Sequence, residues 1–145
     1  PLTTRYLPNK ASYPIQGLEW AAKRITHWEI HGFGTFILRD KKHIDPIGFC
    51  GLEYVKDTLF IDIRYGLVQK VWGKGLAFEA AQTCIQYGFS TLKFDMIYGA
   101  AVPENKSSIA VLLKLGMTPD PSFDAYGDVV DSFSIKKPKI QVQHL

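Results

Sequence analysis

The chain has only two cysteines in 145 residues, and neither Cys50 nor Cys84 has a neighbour at metal-ligand spacing. That argues against a disulfide-stapled scaffold and a cysteine-held metal; the two thiols read as small core residues of a reducing compartment, with one disulfide left open. No apolar run approaches the roughly 20 residues that span a bilayer, and no apolar leader is seen ahead of the first element, which points to the cytoplasm and away from a membrane. Strong charge of one sign is also lacking. The net charge is +3, spread without the basic stripe of a nucleic-acid binder; Lys136, Lys137 and Lys139 form the one basic cluster and read as a solvated tail. The histidines, His27, His31, His43 and His144, show neither metal nor triad spacing. Internal repeats and low-complexity stretches are missing too. What is present, 46% hydrophobic and 21% charged residues, is ordinary for one globular domain over residues 1–145.

Helical spacing of Ile15, Leu18, Ala22, Ile25 and Trp28 predicts an amphipathic helix over Pro14 to Glu29, ended by His31-Gly32 and Gly34. Thr35 to Arg39, Ile47 to Tyr54 and Thr58 to Leu67 then read as three strands joined by short polar turns, an antiparallel meander. In the third strand Ile61, Ile63, Tyr65 and Leu67 fall on one face and Asp62, Arg64 and Gly66 on the other, so one face is polar or lines a cleft. A helix beginning near Gly75 buries Phe78, Ala81, Ile85, Phe89 and Leu92 and exposes Glu79, Gln82, Thr83, Gln86 and Ser90. Met96 to Val102 fits a buried strand, parallel to Thr58–Leu67 because a crossover helix separates the two. Asn105 caps a further helix ending near Leu115, with Gly116 at its C′ position. Pro119 and Pro121 read as a loop, and Val129 to Lys136 as the last strand.

Lys70-Val71-Trp72-Gly73-Lys74-Gly75 places a Gly-x-Gly where a strand turns into a helix. Unpaired N–H groups and the positive end of the macrodipole meet there, and glycine lets an anion approach the backbone. The N–H groups of Gly73, Lys74, Gly75, Leu76 and Ala77 would face a diphosphate, with Lys70 and Lys74 adding charge. The helix opened by Asn105, with Ser108 in its first turn, starts on the same edge of the sheet, where open α/β sheets bind ligands. Together they describe a site for a long molecule carrying a diphosphate. A dinucleotide fingerprint fails because Phe78 stands where the third glycine belongs, and no Walker A string is present.

Ile47-Gly48-Phe49-Cys50-Gly51-Leu52, Ile61 through Leu67, Trp72 through Ala80, and Asn105-Lys106-Ser107-Ser108 with Leu115-Gly116-Met117 together resemble the GNAT acetyltransferases, and most of all their RimJ/RimL type, which acetylates protein N-termini and, in relatives, small amines. The resemblance runs from Thr4 to about Ile135. It implies an α/β fold with a mixed central sheet, an antiparallel meander followed by a parallel strand–helix–strand unit, flanked by helices. It further implies acetyl-CoA as cosubstrate, held by the glycine-rich turn and by backbone groups of Leu67 and Val68, and an amine acceptor attacking directly in a ternary complex. Lys70 falls where many members have Gln or Arg, Gly73 and Gly75 match the two glycines, and Asn105 and Ser108 match the Asn-x-x-Ser. Asp62 falls where relatives often carry Glu, which makes it the candidate general base, directly or through water.

The resemblance also shows departures. Leu112 stands where many members carry a tyrosine acid, which leaves Ser108 or solvent to stabilise the thiolate and Tyr126 as a distant candidate. Members begin with a strand and a helical segment ahead of the part resembling Thr4 to Pro8, so the expectation is a domain short of roughly 30 to 50 residues, lacking an edge strand and open to pairing with a second copy as a homodimer. Plainer readings stand beside these. Gly73 and Gly75 can be a tight turn, Asp62 a partner of Arg64, Asn105 only a cap, Ser108 a first-turn residue, and the tryptophans packing residues; Glu53 is a weaker base candidate. The alternative function is a noncatalytic acyl-CoA-binding or interaction module.

Overall fold

In the computed structural model, which describes residues 14–42 and 45–139, a six-stranded sheet in the order β1-β2-β3-β4-β6-β5 carries three helices. Helix α1 is Pro14–His31, β1 Thr35–Leu38, β2 Gly48–Tyr54, β3 Ile61–Leu67, α2 Leu76–Ser90, β4 Met96–Ala101, α3 Lys106–Lys114, β5 Thr118–Pro119 and β6 Asp131–Lys136. The antiparallel meander β1-β2-β3 and the parallel β3–β4 step across α2 are as the turn and helix signals predict. Strand β3 begins three residues later than predicted. Asp57 takes a positive φ of 62° and Val55 N–H donates to Phe60 O at 2.9 Å, so the hairpin turn absorbs Thr58 and Leu59.

Alternation along β3 divides the molecule into two unlike layers. Ile61 and Ile63 join Cys50, Leu52, Ala81, Cys84, Ile85, Phe89, Ile97 and Leu112 in the main core, beneath α2 and α3. Both cysteines are free and buried. Their hydrogen bond, together with burial, pushes the Cys50 thiol far up. Of the α2 residues predicted buried, Ala81, Ile85 and Phe89 are, with Cys84 and Gly88 added, whereas Phe78 and Leu92 are half-buried.

The other layer is α1, and of the predicted apolar stripe Leu18, Ala22 and Ile25 turn outward while Trp28 alone among its described residues turns in. Leu18 is 74% exposed and Ile25 58%, and Ala22 is exposed as well. The helix instead turns Trp20, Arg24, His27 and Trp28 inward. Trp20 packs on Phe49 at 5.1 Å between ring centroids, and Trp28 Nε1 donates to Thr35 O at 2.8 Å. His27 Nδ1 lies 2.8 Å from Phe33 O, while its Nε2 accepts from Tyr54 N–H at 3.1 Å. That pair assigns the proton to Nδ1 and a neutral ring; burial lowers its pKa. The helical period holds but its phase is shifted, because the sheet face under α1 is mixed, with Glu53 facing Arg24 and Phe49 facing Trp20.

At the far edge the predicted loop at Pro119 is a two-residue strand, β5, pairing Thr118 with Ser134 and Pro119 with Phe133. Proline is compatible with such an outermost position because it owes the ladder no N–H there. The last strand starts at Asp131, two residues late, because Gly127–Val129 forms a 3-10 turn.

Candidate active site

The sheet forks at its centre. Strands β2 and β3 pair along their whole length, from Gly48 with Leu67 to Tyr54 with Ile61. Between β3 and β4 only Asp62 and Tyr98 are partners. Beyond that pair the strands part, so the stretch of β3 up to Leu67 faces a gap whose other lip is the end of β4. Helix α2 follows the β3 lip and α3 follows the β4 lip, and both helix N-termini stand at the mouth.

At the α2 mouth Gly73 and Gly75 have φ of +80° and +75°. A Cβ added at either would meet nothing within 4 Å, so left-handed backbone rather than crowding requires glycine, and the space above the turn is open. Gly75 caps α2 without any side-chain hydrogen bond, which leaves the first-turn N–H groups of Leu76 and Ala77 without a side-chain partner at the cap. Lys70 and Lys74 are exposed beside them. Trp72, read as packing, donates from Nε1 to Leu67 O at 2.8 Å and ties the turn to the strand end. Val68 N–H donates to Ile47 O at 2.8 Å, so this residue has only its carbonyl to offer a ligand, and that carbonyl already accepts from Val71 N–H at 3.1 Å. These features fit an elongated diphosphate-bearing cosubstrate in the fork. Gly75→Ala is expected to cost about 1 kcal/mol of stability through its left-handed φ and to weaken CoA binding more than tenfold, read by calorimetric titration.

At the α3 mouth Asn105 Oδ1 accepts from Ser108 N–H at 3.1 Å. Its cap role is real, and its amide NH2 remains a donor. Ser108 Oγ lies 2.9 Å from Tyr65 Oη, which also donates to Ser108 O at 3.2 Å. Leu112 is buried at 1% exposure.

On the opposite face, at the apex of the fork, sits a charged cluster. Glu53 and Asp62 are direct cross-strand partners, and like charges so placed repel. Both are buried, at 2% and 3% exposure. Two guanidinium groups balance them. Arg64, two residues along β3 from Asp62, donates from Nε to Asp62 Oδ1 at 2.9 Å and places Nη1 3.6 Å from Glu53 Oε1. Arg24 of α1 brings Nε within 2.8 Å of Glu53 Oε2, although its N–H is not aimed for a hydrogen bond. Thr35 Oγ1 donates to the same Oε2 at 2.6 Å. Tyr126 Oη donates to Asp62 Oδ2 at 2.5 Å and accepts from Arg64 Nη2 at 3.2 Å. Burial raises the Asp62 pKa despite Arg64 and the Tyr126 hydrogen bond. Arg64 is raised: burial, the largest single influence, would lower it, but Asp62, Tyr126 and Glu53 together outweigh that loss.

The predicted site residues therefore form two groups on opposite faces of β3: Asp62 on one, Ser108 and Asn105 on the other, with the glycine turn at the mouth. Tyr126 joins the Asp62 group and not α3. Sequence reasoning missed Arg24, Thr35 and Tyr65. Arg24 and Thr35 could have been suspected only from the register that sets Glu53 beside Asp62; Tyr65 was counted as an apolar residue. A shallow groove of about 480 Å³ lies elsewhere, at the opening ends of β3 and β4, lined by Tyr54, Phe60, Met96 and Tyr98 among others. Among the described residues no group of three or more His, Cys, Asp or Glu is placed to hold a metal ion, and no helix is long and apolar enough to cross a membrane.

Among known proteins, residues 1–118 match the family described as Acetyltransferase (GNAT) domain. The chain is 32% identical over 104 residues to the uncharacterized protein YkkB of Bacillus subtilis (strain 168), covering 70% of this chain and 60% of that one. It is 31% identical over 112 residues to the probable N-acetyltransferase YjcK of the same organism, covering 72% and 59%. The chain thus spans about three fifths of the length of these relatives. Among solved structures, an acetyltransferase from Agrobacterium tumefaciens str. C58 superposes with a TM-score of 0.80 at 21% identity, covering 91% of this chain and 77% of that one. A spermidine N-acetyltransferase from Vibrio cholerae, solved with CoA and spermine, gives 0.71 at 17% identity, covering 94% and 83%. The forked sheet, the glycine turn and the match over residues 1–118 lead to one conclusion: the chain belongs to the GNAT acetyltransferase family.

Proposed function

We propose that the chain is an acetyl-CoA-dependent N-acetyltransferase of the RimJ/RimL type, acting on a primary amine, either a protein N-terminus or a small-molecule amine. The observation that carries this reading is the fork, which opens directly after Asp62 and sets a buried carboxylate at the apex of a gap flanked by two helix N-termini. The structural similarity to a spermidine N-acetyltransferase solved with CoA and spermine supports an amine acceptor.

When bound, acetyl-CoA supplies an activated acyl group. The chain supplies the rest. The N–H groups from Gly73 to Ala77, with Lys70 and Lys74, hold the diphosphate; the β3 lip at Leu67 and the carbonyl of Val68 orient the arm; Asn105 and Ser108 bound the far side. Asp62 takes the proton of the incoming amine, and Arg64 and Tyr126 fix the orientation of its carboxylate, so both reactants meet in one geometry. A single domain in the cytoplasm, no nucleic-acid or membrane partner, and a homodimer through the β1 edge, where Phe36 and Ile37 are exposed, complete the reading.

A second reading, a noncatalytic acyl-CoA-binding module, draws on one observation, the buried Leu112 where a tyrosine acid is common in the family. Thermal melting with acetyl-CoA, CoA, NAD and ATP in parallel, followed by an amine screen, tests both. At about 100 times its dissociation constant a ligand adds roughly 2.7 kcal/mol. Stabilisation by acetyl-CoA and CoA alone, with turnover of an amine, is the expected result. Binding without turnover on any amine selects the second reading, and no stabilisation by either thioester or thiol overturns both.

A further inference from the structure

We propose that the Tyr65 hydroxyl is the proton donor to the departing thiolate of coenzyme A. This assignment rests on the acetyl-transfer reading. Thioester aminolysis expels a thiolate, and the residue that many family members use to meet it is here Leu112, which has no proton to give and is sealed in the core. Ser108 and Leu112 lie four residues apart and therefore share one face of α3. Tyr65 reaches that same face from across the fork. It stands on β3 three residues beyond Asp62, within the stretch not paired to β4, and its hydroxyl comes within 2.9 Å of Ser108 Oγ. The phenol therefore spans from one lip of the gap to the helix behind the other, one helical turn nearer the mouth than position 112.

The chemistry favours the phenol over the serine. An alkyl thiol ionises near 8.5 and a phenol near 10, whereas an aliphatic hydroxyl holds its proton far more tightly. Burial pushes Tyr65 up to about 12, against the pull of the Ser108 hydrogen bond, so it stays protonated at neutral pH. Placement also separates acid from base. Residues 62 and 65 lie on opposite faces of β3, which keeps the Tyr65 proton away from the Asp62 carboxylate. In the full step the amine nitrogen bonds to the carbonyl carbon and gives a proton to Asp62. The carbon–sulfur bond breaks with its electron pair on sulfur, and sulfur takes the Tyr65 proton. The phenolate regains its proton from solvent by a concerted relay through Ser108 Oγ, which gives one proton as it takes another. Asp62 releases the amine proton to solvent to close the cycle.

The test compares wild type with Tyr65→Phe and with 3,5-difluorotyrosine placed at position 65, which keeps the hydroxyl and the ring. The first readout needs no acceptor: the thiol pKa of bound CoA carrying 13C next to sulfur, followed by NMR. Tyr65→Phe is expected to raise it by about one unit and the more acidic difluorophenol to lower it, with CoA affinity at neutral pH unchanged. The second is kcat on the amine turned over fastest by wild type, expected to fall about 10²-fold in Tyr65→Phe. A bound-thiol pKa indifferent to both substitutions, or a Tyr65→Phe kcat within threefold of wild type, overturns the assignment while leaving acetyl transfer in place. Wild-type protein that fails to bind CoA overturns the acetyl-transfer reading itself, and this assignment with it.

Discussion

Replacing Asp62 with asparagine is expected to lower kcat by about 10²- to 10⁴-fold, the range a positioned general base contributes, while leaving CoA affinity unchanged. Asparagine keeps the volume and one acceptor oxygen, so Arg64 Nε keeps its acceptor. The amide NH2 replaces the oxygen that accepts from Tyr126 and donates to the Tyr126 hydroxyl instead. What it loses is the capacity to take a proton. Because burial raises the Asp62 pKa above its ordinary 3.8, the ascending limb of the wild-type pH–rate profile should lie above the usual carboxylate range. That limb should vanish in Asp62→Asn. Stability should show the same group with a defined sign. The folded state holds this proton more tightly than the unfolded chain, so between the ordinary value and the raised one the Asp62 contribution falls as pH rises, then levels off. An Asp62→Asn variant with wild-type kcat would assign the residue to the charged cluster alone.

The largest stability effect is expected at Glu53. Glu53→Ala removes a carboxylate at 2% exposure that faces Arg24 and Arg64 and accepts from Thr35. Breaking a fully buried pair by removing one partner costs about 3 to 5 kcal/mol, because the charge left behind is uncompensated. The arginine side chains keep 18% and 26% exposure, so water relieves part of the loss and about 2 to 3 kcal/mol is expected. For a domain of this size that is roughly a 10 °C drop in Tm. Glu53→Gln should recover part of it by keeping an acceptor for the Thr35 hydroxyl. Chemical denaturation of the two variants beside wild type reads the difference, and an unchanged midpoint for Glu53→Ala would mean that the cluster relaxes around the gap.

Where local chemistry decided the structure, the sequence was readable. The alternation from Ile61 to Leu67 reports the two faces of β3 because a strand has a period of two whatever lies around it. Gly73 and Gly75 announce left-handed backbone at the strand–helix turn, and Asn105 announces a cap. Most of the α1 stripe failed because apolar periodicity locates the core only when the surface beneath the helix is apolar. Glu53 and Asp62 make that surface partly polar, and their adjacency is set by strand register, a tertiary fact that no spacing along the chain reveals. Arg24 was invisible for the same reason, since on a helix an arginine reads as solvent-facing until a buried carboxylate is known to lie beneath it. Tyr65 hid in plain view, because alternation counts its ring and ignores its hydroxyl.

The single pair between β3 and β4 also has a mechanical meaning. It divides the sheet into two wings, β1-β2-β3 and β4-β6-β5, joined along the strand direction at Asp62 and Tyr98 alone. Cohesion between the wings must then come from what is stacked under the hinge. Gly99 makes that possible: a Cβ there would come within 2.8 Å of Leu112 Cδ2, 3.2 Å of Ile63 Cγ2 and 3.3 Å of Met117 Cε. With no side chain at that point, residues from both wings and from α3 close into one apolar floor. Leu112, buried between Gly99 and the core, is thereby a rivet at the joint about which the two wings meet.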